Sequence, residues 1–495
     1  MKKTLTTRAA DYNQWYLDVI EAADLAEHSD VKGAMVIKPY GYAIWERMQK
    51  ILDERIKEHG VQNAYFPLLI PKSFLTKEAS HVEGFAKECA VVTHYRLKMA
   101  LDGKSVIVDP EAKLEEELII RPTSETVMYS TFSRWIKSWR DLPLQINQWA
   151  NVMRWEMRTR LFLRTSEFLW QEGHTAHATY DEAEAEARWA LSMYEDFTRD
   201  VLAMSVVPGM KTESEKFAGA DHTFTIEAMM QDGKALQAGT SHNLGQNFAK
   251  AFEVKFLGKE NTEEYVYQTS WGVSTRMIGG LIMSHSDDDG LVLPPRIAPH
   301  QVVIIPIYKT DEERVAVEAA AHSIAQSLKA ETMWEEKVRV HVDTRDNKSF
   351  GEKTYEWLKK GVPVRIEIGP RDVANNSCMM MRRDRFGKNP IELGVAVEEA
   401  LKYLILIQHD LLEANMQNRL TRTHHVDSYD ELKSKIEEGG FFLTHWCGDN
   451  ACEKKVKEEL KATTRCIPLA QENEEGTCVV CSKPSQRRVI FARAY

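Results

Sequence analysis

The run Leu293-Pro294-Pro295-Arg296-Ile297-Ala298-Pro299 separates two stretches of chain whose periodicities one compact unit cannot accommodate. Proline lacks an amide donor and fixes φ, so this cluster marks a linker and not a helix or an inner strand. Beyond it, residues 301–306 read as a strand, 311–330 as a long helix, 338–342 as a strand, and a helix follows. That alternation predicts a parallel α/β unit. Before it, residues 11–60 carry apolar positions at helical spacing and lead into the short apolar run 66–70, a helix feeding a buried strand. Residues 98–117 hold Asp102-Gly103, a proline and four glutamates, and read as a polar surface excursion. A further helix is expected over 180–203, with short strands around 223–226. Near residue 405 the pattern changes again, to charged helices around a cysteine cluster. With about 150 residues per domain, 495 residues suggest about three domains.

Apolar residues make up 43% and charged residues 28%, and no apolar run approaches the roughly 20 residues needed to cross a bilayer, so no membrane association is expected. Residues 1–10 carry two lysines but no apolar segment or cleavage pattern of a secretory signal, so the chain is expected in the cytoplasm. Seven cysteines, two of them (Cys89 and Cys378) remote from the rest, do not form a secreted disulfide framework. A net charge of −10 repels a polyanion at long range, so any nucleic-acid contact must be local. Residues 337–388, with thirteen Lys or Arg against seven Asp or Glu, are the best candidate for one.

The chemistry is carried by arginines. Arg154, Arg164 and Arg276, the last just ahead of Gly279-Gly280, are planar, permanently charged forks suited to phosphate oxygens, and Glu156 could accept the amino group of adenine. Together they supply ATP-binding chemistry without a P-loop, and charge neutralisation of this kind is what nucleotidyl transfer requires. Taken singly, each of these residues also fits a solvated ion pair.

In order along the chain, the segments 64–71, 154–173 and 272–296 resemble motifs 1, 2 and 3 of class II aminoacyl-tRNA synthetases. Arg121-Pro122-Thr123-Ser124-Glu125 and Phe168-Leu169-Trp170-Gln171-Glu172-Gly173-His174 resemble the prolyl-tRNA synthetase family of the archaeal and eukaryotic-like type, and the resemblance covers essentially the whole chain. It implies an α+β catalytic core around an antiparallel sheet (about 1–295), an α/β anticodon-binding domain (about 299–402) and a small zinc-binding α+β carboxyl-terminal domain (about 403–495). It also implies a homodimer through motif 1. Only about ninety residues separate His177 from Gln268, leaving no room for the editing domain that bacterial-type prolyl enzymes insert there.

By the same resemblance, Arg154 and Arg276 are catalytic. Arg154 contacts the α-phosphate and the proline carboxylate, Glu156 reads adenine, Arg164 and Arg276 hold the outer phosphates, and Thr165, Gln237 and Thr240 contact the nucleotide. ATP and Mg²⁺ are the implied cofactors, L-proline and tRNA(Pro) the partners. Proline offers a secondary ammonium with two donors and a compact ring, so its site wants two acceptors and a flat apolar slot. Thr123 and Glu125 supply the acceptors, although Thr-Ser-Glu before an amphipathic run is also what an N-cap looks like. Trp170 and Phe217 build the slot, with Glu172, His242, Ser270 and Gly272 beside it. The run Gly239–Gln246 suits a turn where backbone approaches a ligand, or a surface hairpin.

Cys447-x4-Cys452 followed by Cys478-x2-Cys481 has the spacing of a closed tetrahedral zinc site, structural and not catalytic. Cys466 and His445 are the alternatives to one of these ligands. Lys353, Arg365, Glu367 and Arg371 resemble the anticodon-binding surface, with Lys and Arg on phosphates and Glu367 on base edges, although exposed charges at strand ends explain them equally well. The carboxylate of the last residue, Tyr495, is implied to approach the active site, whereas a frayed tail is the ordinary expectation. The reaction implied is ATP-dependent charging of tRNA with proline. The rivals are another class II synthetase, threonyl above all, or a catalytically dead relative that binds RNA.

Overall fold

The computed structural model describes residues 4–77 and 88–495. Its central sheet is built from β1 (Gln62–Asn63), β2 (Leu144–Met153), β3 (Glu167–His177), β4 (Val206–Met210), β5 (His222–Met229), β6 (Ala235–Gly245) and β7 (Tyr267–Ser274), in the order β4-β5-β6-β7-β3-β2-β1. All neighbours are antiparallel except β1 and β2. Register decides which side chains share a face. Trp170 lies opposite Ser274, Glu172 opposite Gly272 and His174 opposite Ser270, while β6 sets Thr240 against Gly272 and His242 against Ser270. With a side-chain period of two, these residues occupy one side of the sheet and Gln171, Ser241 and Trp271 the other.

That second side is covered by α3, the third of the helices named α1 (Pro39–Glu58), α2 (Glu125–Trp135) and α3 (Tyr180–Asp200). α3 begins at a capping box between Thr179 and Glu182 and stops at Asp200, three residues short of the expected end. Tyr194 donates to Gln171 at 2.6 Å, Ser241 donates to the Ala187 carbonyl at 2.7 Å, and the Trp271 ring packs edge-on against Trp189. Gly173 makes this possible, because a Cβ there would sit 2.2 Å from the Trp271 ring. Burying a tryptophan of this kind is worth about 3–5 kcal/mol by truncation.

Three local expectations change. The 239–246 run is neither turn nor surface hairpin but the second half of β6, buried save for Thr240 and Gln246, since a strand flanked on both sides has no edge to turn on. Run 66–70 is not one buried strand: Phe66 and Ile70 are buried, Leu69 is exposed, and only Leu69–Pro71 pairs, with Lys113–Ile120. The 98–117 excursion is β-structured, a ribbon of Leu97–Met99 against Val106–Val108 followed by that partner strand.

After α4 (Arg276–His285), a second sheet of β8 (Val302–Pro306), β9 (Val340–Val342), β10 (Val364–Ile368), β11 (Ser377–Arg382) and β12 (Asn389–Glu392) runs β9-β8-β10-β11-β12. The expected helix appears as α5 (Asp311–Ala330), followed by α6 (Phe350–Lys359). β8 is parallel to β9 and β10, but β11 and β12 are antiparallel. The expectation of a parallel unit fails at these two because their connections are shorter than the dozen residues a parallel crossover needs.

α7 (Ala396–Thr421) runs straight through residues 402 and 403, so no linker separates the last region. That region contains β13 (Thr423–Val426), β14 (Phe441–His445), α8 (Asn450–Leu460), β15 (Thr463–Pro468) and β16 (Arg488–Ala492). β15 pairs with β4 at Gly209–Pro468 and Met210–Ile467, which extends the central sheet to eleven strands. The tail is not frayed: the Tyr495 amide donates to Ala235 O at 3.1 Å, its hydroxyl donates to Asp232, and the Arg160 guanidinium lies over its ring.

Candidate active site

On the sheet face opposite α3 lies a cleft of about 280 Å³. β3 contributes Phe168, Trp170, Glu172 and His174 at alternate positions, β7 contributes Ser270, Gly272 and Ser274, and β6 contributes Gln237, Thr240 and His242. Thr123 and Glu125 enter from the start of α2, Phe217 from the loop after β4, and Arg154 and Arg276 from the end of β2 and the start of α4.

Each arginine is placed through its backbone surroundings. Chain 154–166 between β2 and β3 doubles back through an Arg160–Arg164 bridge, with Leu161, Phe162 and Leu163 buried at its tip. Leu163 meets α4 at Gly279, where a Cβ would fall 2.4 Å from the leucine side chain, so the glycine-rich run exists to let helix and tip approach. The same tip holds Arg276, whose Nε donates to Leu163 O at 3.0 Å. Arg154 Nε donates to Pro122 O at 3.0 Å, with its guanidinium over Phe168 and Trp170, both at 5.6 Å. Burial and then the neighbouring charges of Arg154 and Arg164 push the Arg276 guanidinium down to about 10, so the three cations share one field. Arg164 is nevertheless half-exposed outside the cleft lining, with Nε 3.8 Å from Glu156. Thr165 is buried with its hydroxyl committed to Glu167 O at 2.7 Å, so it does not line the cleft either.

The opposite end is a network of carboxylates and imidazoles. Glu172 accepts from Ser124 at 2.6 Å and Gln148 at 2.9 Å, and pairs with His174 at 3.0 Å. Burial favours the protonated carboxyl, but the His174 bond and charge outweigh burial and hold the carboxyl below its usual range. Burial likewise opposes charge on His174, and Glu172 reverses the sign and raises it. His242 is pushed down to about 3 by burial and by His174. Thr123 donates to Glu125 beside it. Ser124 stands at the N-cap of α2 without a capping bond, so the N-cap reading of Thr-Ser-Glu fails: Ser124 donates to Glu172, and Thr123 and Glu125 turn into the cleft. The Phe217 and His242 rings lie 4.4 Å apart. Trp170 Nε1 and Ser270 Oγ are buried without partners, two polar atoms that water or ligand would satisfy.

Thus Thr123, Glu125, Arg154, Trp170, Glu172, Phe217, Gln237, Thr240, His242, Ser270, Gly272 and Arg276 come together, while Glu156, Arg164 and Thr165 stand outside the lining. His174, Lys211, Glu215 and Thr223 also line the cleft and were missed. His174 was legible from the two-residue alternation Trp170, Glu172, His174. No local sequence signal marks the other three.

The thiol sulfurs of Cys447, Cys452, Cys478 and Cys481 lie within 4.8 Å of one another. Ligands at about 2.3 Å around a tetrahedral zinc would sit roughly 3.8 Å apart, so this donor set fits the ion. Cys466 lies instead in β15, packed on Gly209, and the His445 imidazole is within bonding reach of Ser485 and Glu474, so neither joins the cluster. Of the expected anticodon residues, Lys353 is buried on Asp343 O at 3.1 Å, and Glu367 is buried between Arg365 at 3.2 Å and Lys388 at 2.5 Å. Exposed strand-end charges therefore do not describe them. Arg371 is exposed on a short helix, Pro370–Ala374. Arg365 does line a basic cleft, together with Arg382, Arg385, Phe386 and Lys388. Among the described residues, no helix is long and apolar enough to cross a membrane.

Three family models match: the tRNA synthetase class II core domain (G, H, P, S and T) over 107–285, an anticodon binding domain over 301–405, and the prolyl-tRNA synthetase C-terminal region over 429–495. The chain is 58% identical to a proline–tRNA ligase of Porphyromonas gingivalis and 59% to one of Bacteroides fragilis, over 100% of this chain and 99% of each relative. A crystal structure of prolyl-tRNA synthetase from Cryptosporidium parvum complexed with L-proline and AMP superposes with a TM-score of 0.89 at 37% identity, covering 99% of this chain and 96% of that one. With core, anticodon-binding and prolyl-type carboxyl-terminal regions in one polypeptide, the chain belongs to the prolyl-tRNA synthetases, ligases that charge tRNA through a prolyl-adenylate.

Proposed function

We propose that the cleft is the adenylation site and that its two ends divide the substrates between them. The observation that carries this reading is the meeting of Arg154 and Arg276 with Thr123, Glu125 and Trp170 in one cavity. ATP lies toward Arg276, Gln237 and Thr240, with Glu156 and Arg164 reaching in from the flexed hairpin and Thr165 supporting it. Proline lies between Trp170 and Phe217. Its ammonium donates to Thr123 and Glu125, and Glu172, His242, Ser270 and Gly272 close the slot. The proline carboxylate attacks the α-phosphorus, the bond to the bridging oxygen breaks, and pyrophosphate leaves. Arg154 between carboxylate and α-phosphate aligns the attack, and Arg276 takes up charge on the leaving group. No protein nucleophile is required. Mg²⁺, the catalytic cofactor, would be held through the phosphate oxygens of ATP and would neutralise charge on the leaving pyrophosphate.

The four cysteines hold a structural Zn²⁺, Arg365 and its neighbours contact the anticodon with Lys353, Glu367 and Arg371 shaping that surface, and motif 1 forms a homodimer across the exposed Tyr65 and Leu69. We read the chain as cytoplasmic and of the archaeal and eukaryotic-like type, although the curated relatives are bacterial. The likeness over 99% of the chain to the Cryptosporidium enzyme supports that type. So does residue stretch 178–266, which is spent on α3 and β4–β6 and not on an inserted domain. Replacing Arg276 tests the site: Arg276→Ala should lower proline-dependent pyrophosphate exchange by about 10²–10³ with unchanged circular dichroism. Exchange within threefold of the parent would remove Arg276 from the reaction.

A further inference from the structure

Segment 211–217 follows β4 directly, and Lys211, Glu215 and Phe217 within it line the cleft. Both halves of the segment are tied to the carboxyl-terminal region. Lys211, buried, donates to Glu227 at 2.7 Å and to Arg465 O at 2.8 Å, and Glu227, with no exposed surface, also accepts from Arg465 Nε at 3.0 Å and Nη2 at 2.9 Å. One residue after Cys452, in the first turn of α8, Glu453 accepts from Thr212 and from Thr464, each at 3.1 Å, and from Ser214. Lys457 of the same helix reaches Glu215 at 3.3 Å. The first turn of α8 thus carries both a thiol of the cysteine cluster and the carboxylate that grips the segment.

We propose that Glu453 and Arg465 are positioning residues for the proline subsite, fixing segment 211–217 so that Phe217 stays against His242. Neither lines the cleft: Glu453 grips the segment directly, and Arg465 holds it through Glu227, the partner of Lys211. Buried charges of this kind hold one geometry or none, because a carboxylate stripped of its partners is costly in a dry interior. The inference rests on the adenylation reading above.

The test uses the full-length enzyme and pyrophosphate exchange with proline and ATP varied separately. Glu453→Ala is expected to raise the proline KM about tenfold or more, leaving the ATP KM within threefold, because a small displacement of a positioned group costs one to two orders of magnitude. Glu453→Gln keeps an acceptor for the three hydroxyls and should restore the proline KM to within threefold. Arg465→Met should behave like Glu453→Ala. A purely architectural role would lower the active fraction, and so kcat, with both KM values unmoved, which overturns the proposal. An equal rise in both KM values also overturns it. Should Glu453→Ala not fold, Thr464→Val, which removes one donor, should still shift the proline KM upward selectively, and an unchanged KM there overturns the proposal. Parent enzyme without proline-dependent exchange would instead overturn the adenylation reading itself.

Discussion

Two histidines in the cleft are driven in opposite directions by their neighbours. His242, pushed down to about 3, stays neutral at any physiological pH, whereas His174 holds its proton more tightly through Glu172. Because the folded value of His174 lies above the unfolded value, its contribution to stability is complete below about pH 6.5 and is lost as pH rises through the folded value. Glu172 has the reverse sign: its contribution is present above about pH 4.5 and lost as pH falls through the depressed folded value. His174→Ala should therefore cost about 1–3 kcal/mol, most at about pH 5–6.5 and progressively less toward pH 9 in urea titrations. A cost that does not change over that range would show that the imidazole carries no charge in the fold. The residue types of this site were readable in the sequence because proline's two donors require acceptors and ATP requires arginine forks. What was not readable is placement: Arg164 and Thr165 carry suitable groups, but the bridge with Arg160 turns one outward and a backbone carbonyl consumes the other.

At the scale of elements, the active site is a consequence of how α4 meets the hairpin tip. Gly279→Val would drive a side chain into Leu163 and should destabilise the protein by about 1–3 kcal/mol while lowering exchange through displacement of Arg276. Gly351→Ala is the control, since a Cβ there meets nothing within 4 Å in α6 and should leave stability unchanged or raise it by up to about 1 kcal/mol. Equal thermal shifts for both would refute the close-approach account. Strongly periodic elements were legible: α5 has the expected bounds, because Thr310 caps it and its apolar spacing is regular. β6 was not, because its Gly, Ser and Asn residues are turn formers that only pairing on both sides converts into strand.

For the whole molecule, the sequence divides the chain at prolines and at composition shifts, but it does not reveal that the last region rejoins the first through β15 and β4. Such pairing between residues about 260 apart in sequence leaves no local trace. Purified protein should contain about one zinc per chain, and its removal by a chelator should lower the melting temperature, since metal binding and folding of such a region are coupled. Less than about half an equivalent, with four titratable thiols, would discard the metal site. The central claim is that one cleft joins ATP to proline. Exchange of labelled pyrophosphate into ATP, measured with each of the twenty amino acids in turn, tests it most directly: proline should support the fastest exchange, and threonine in proline's place, or no exchange from protein that still binds tRNA, would contradict it.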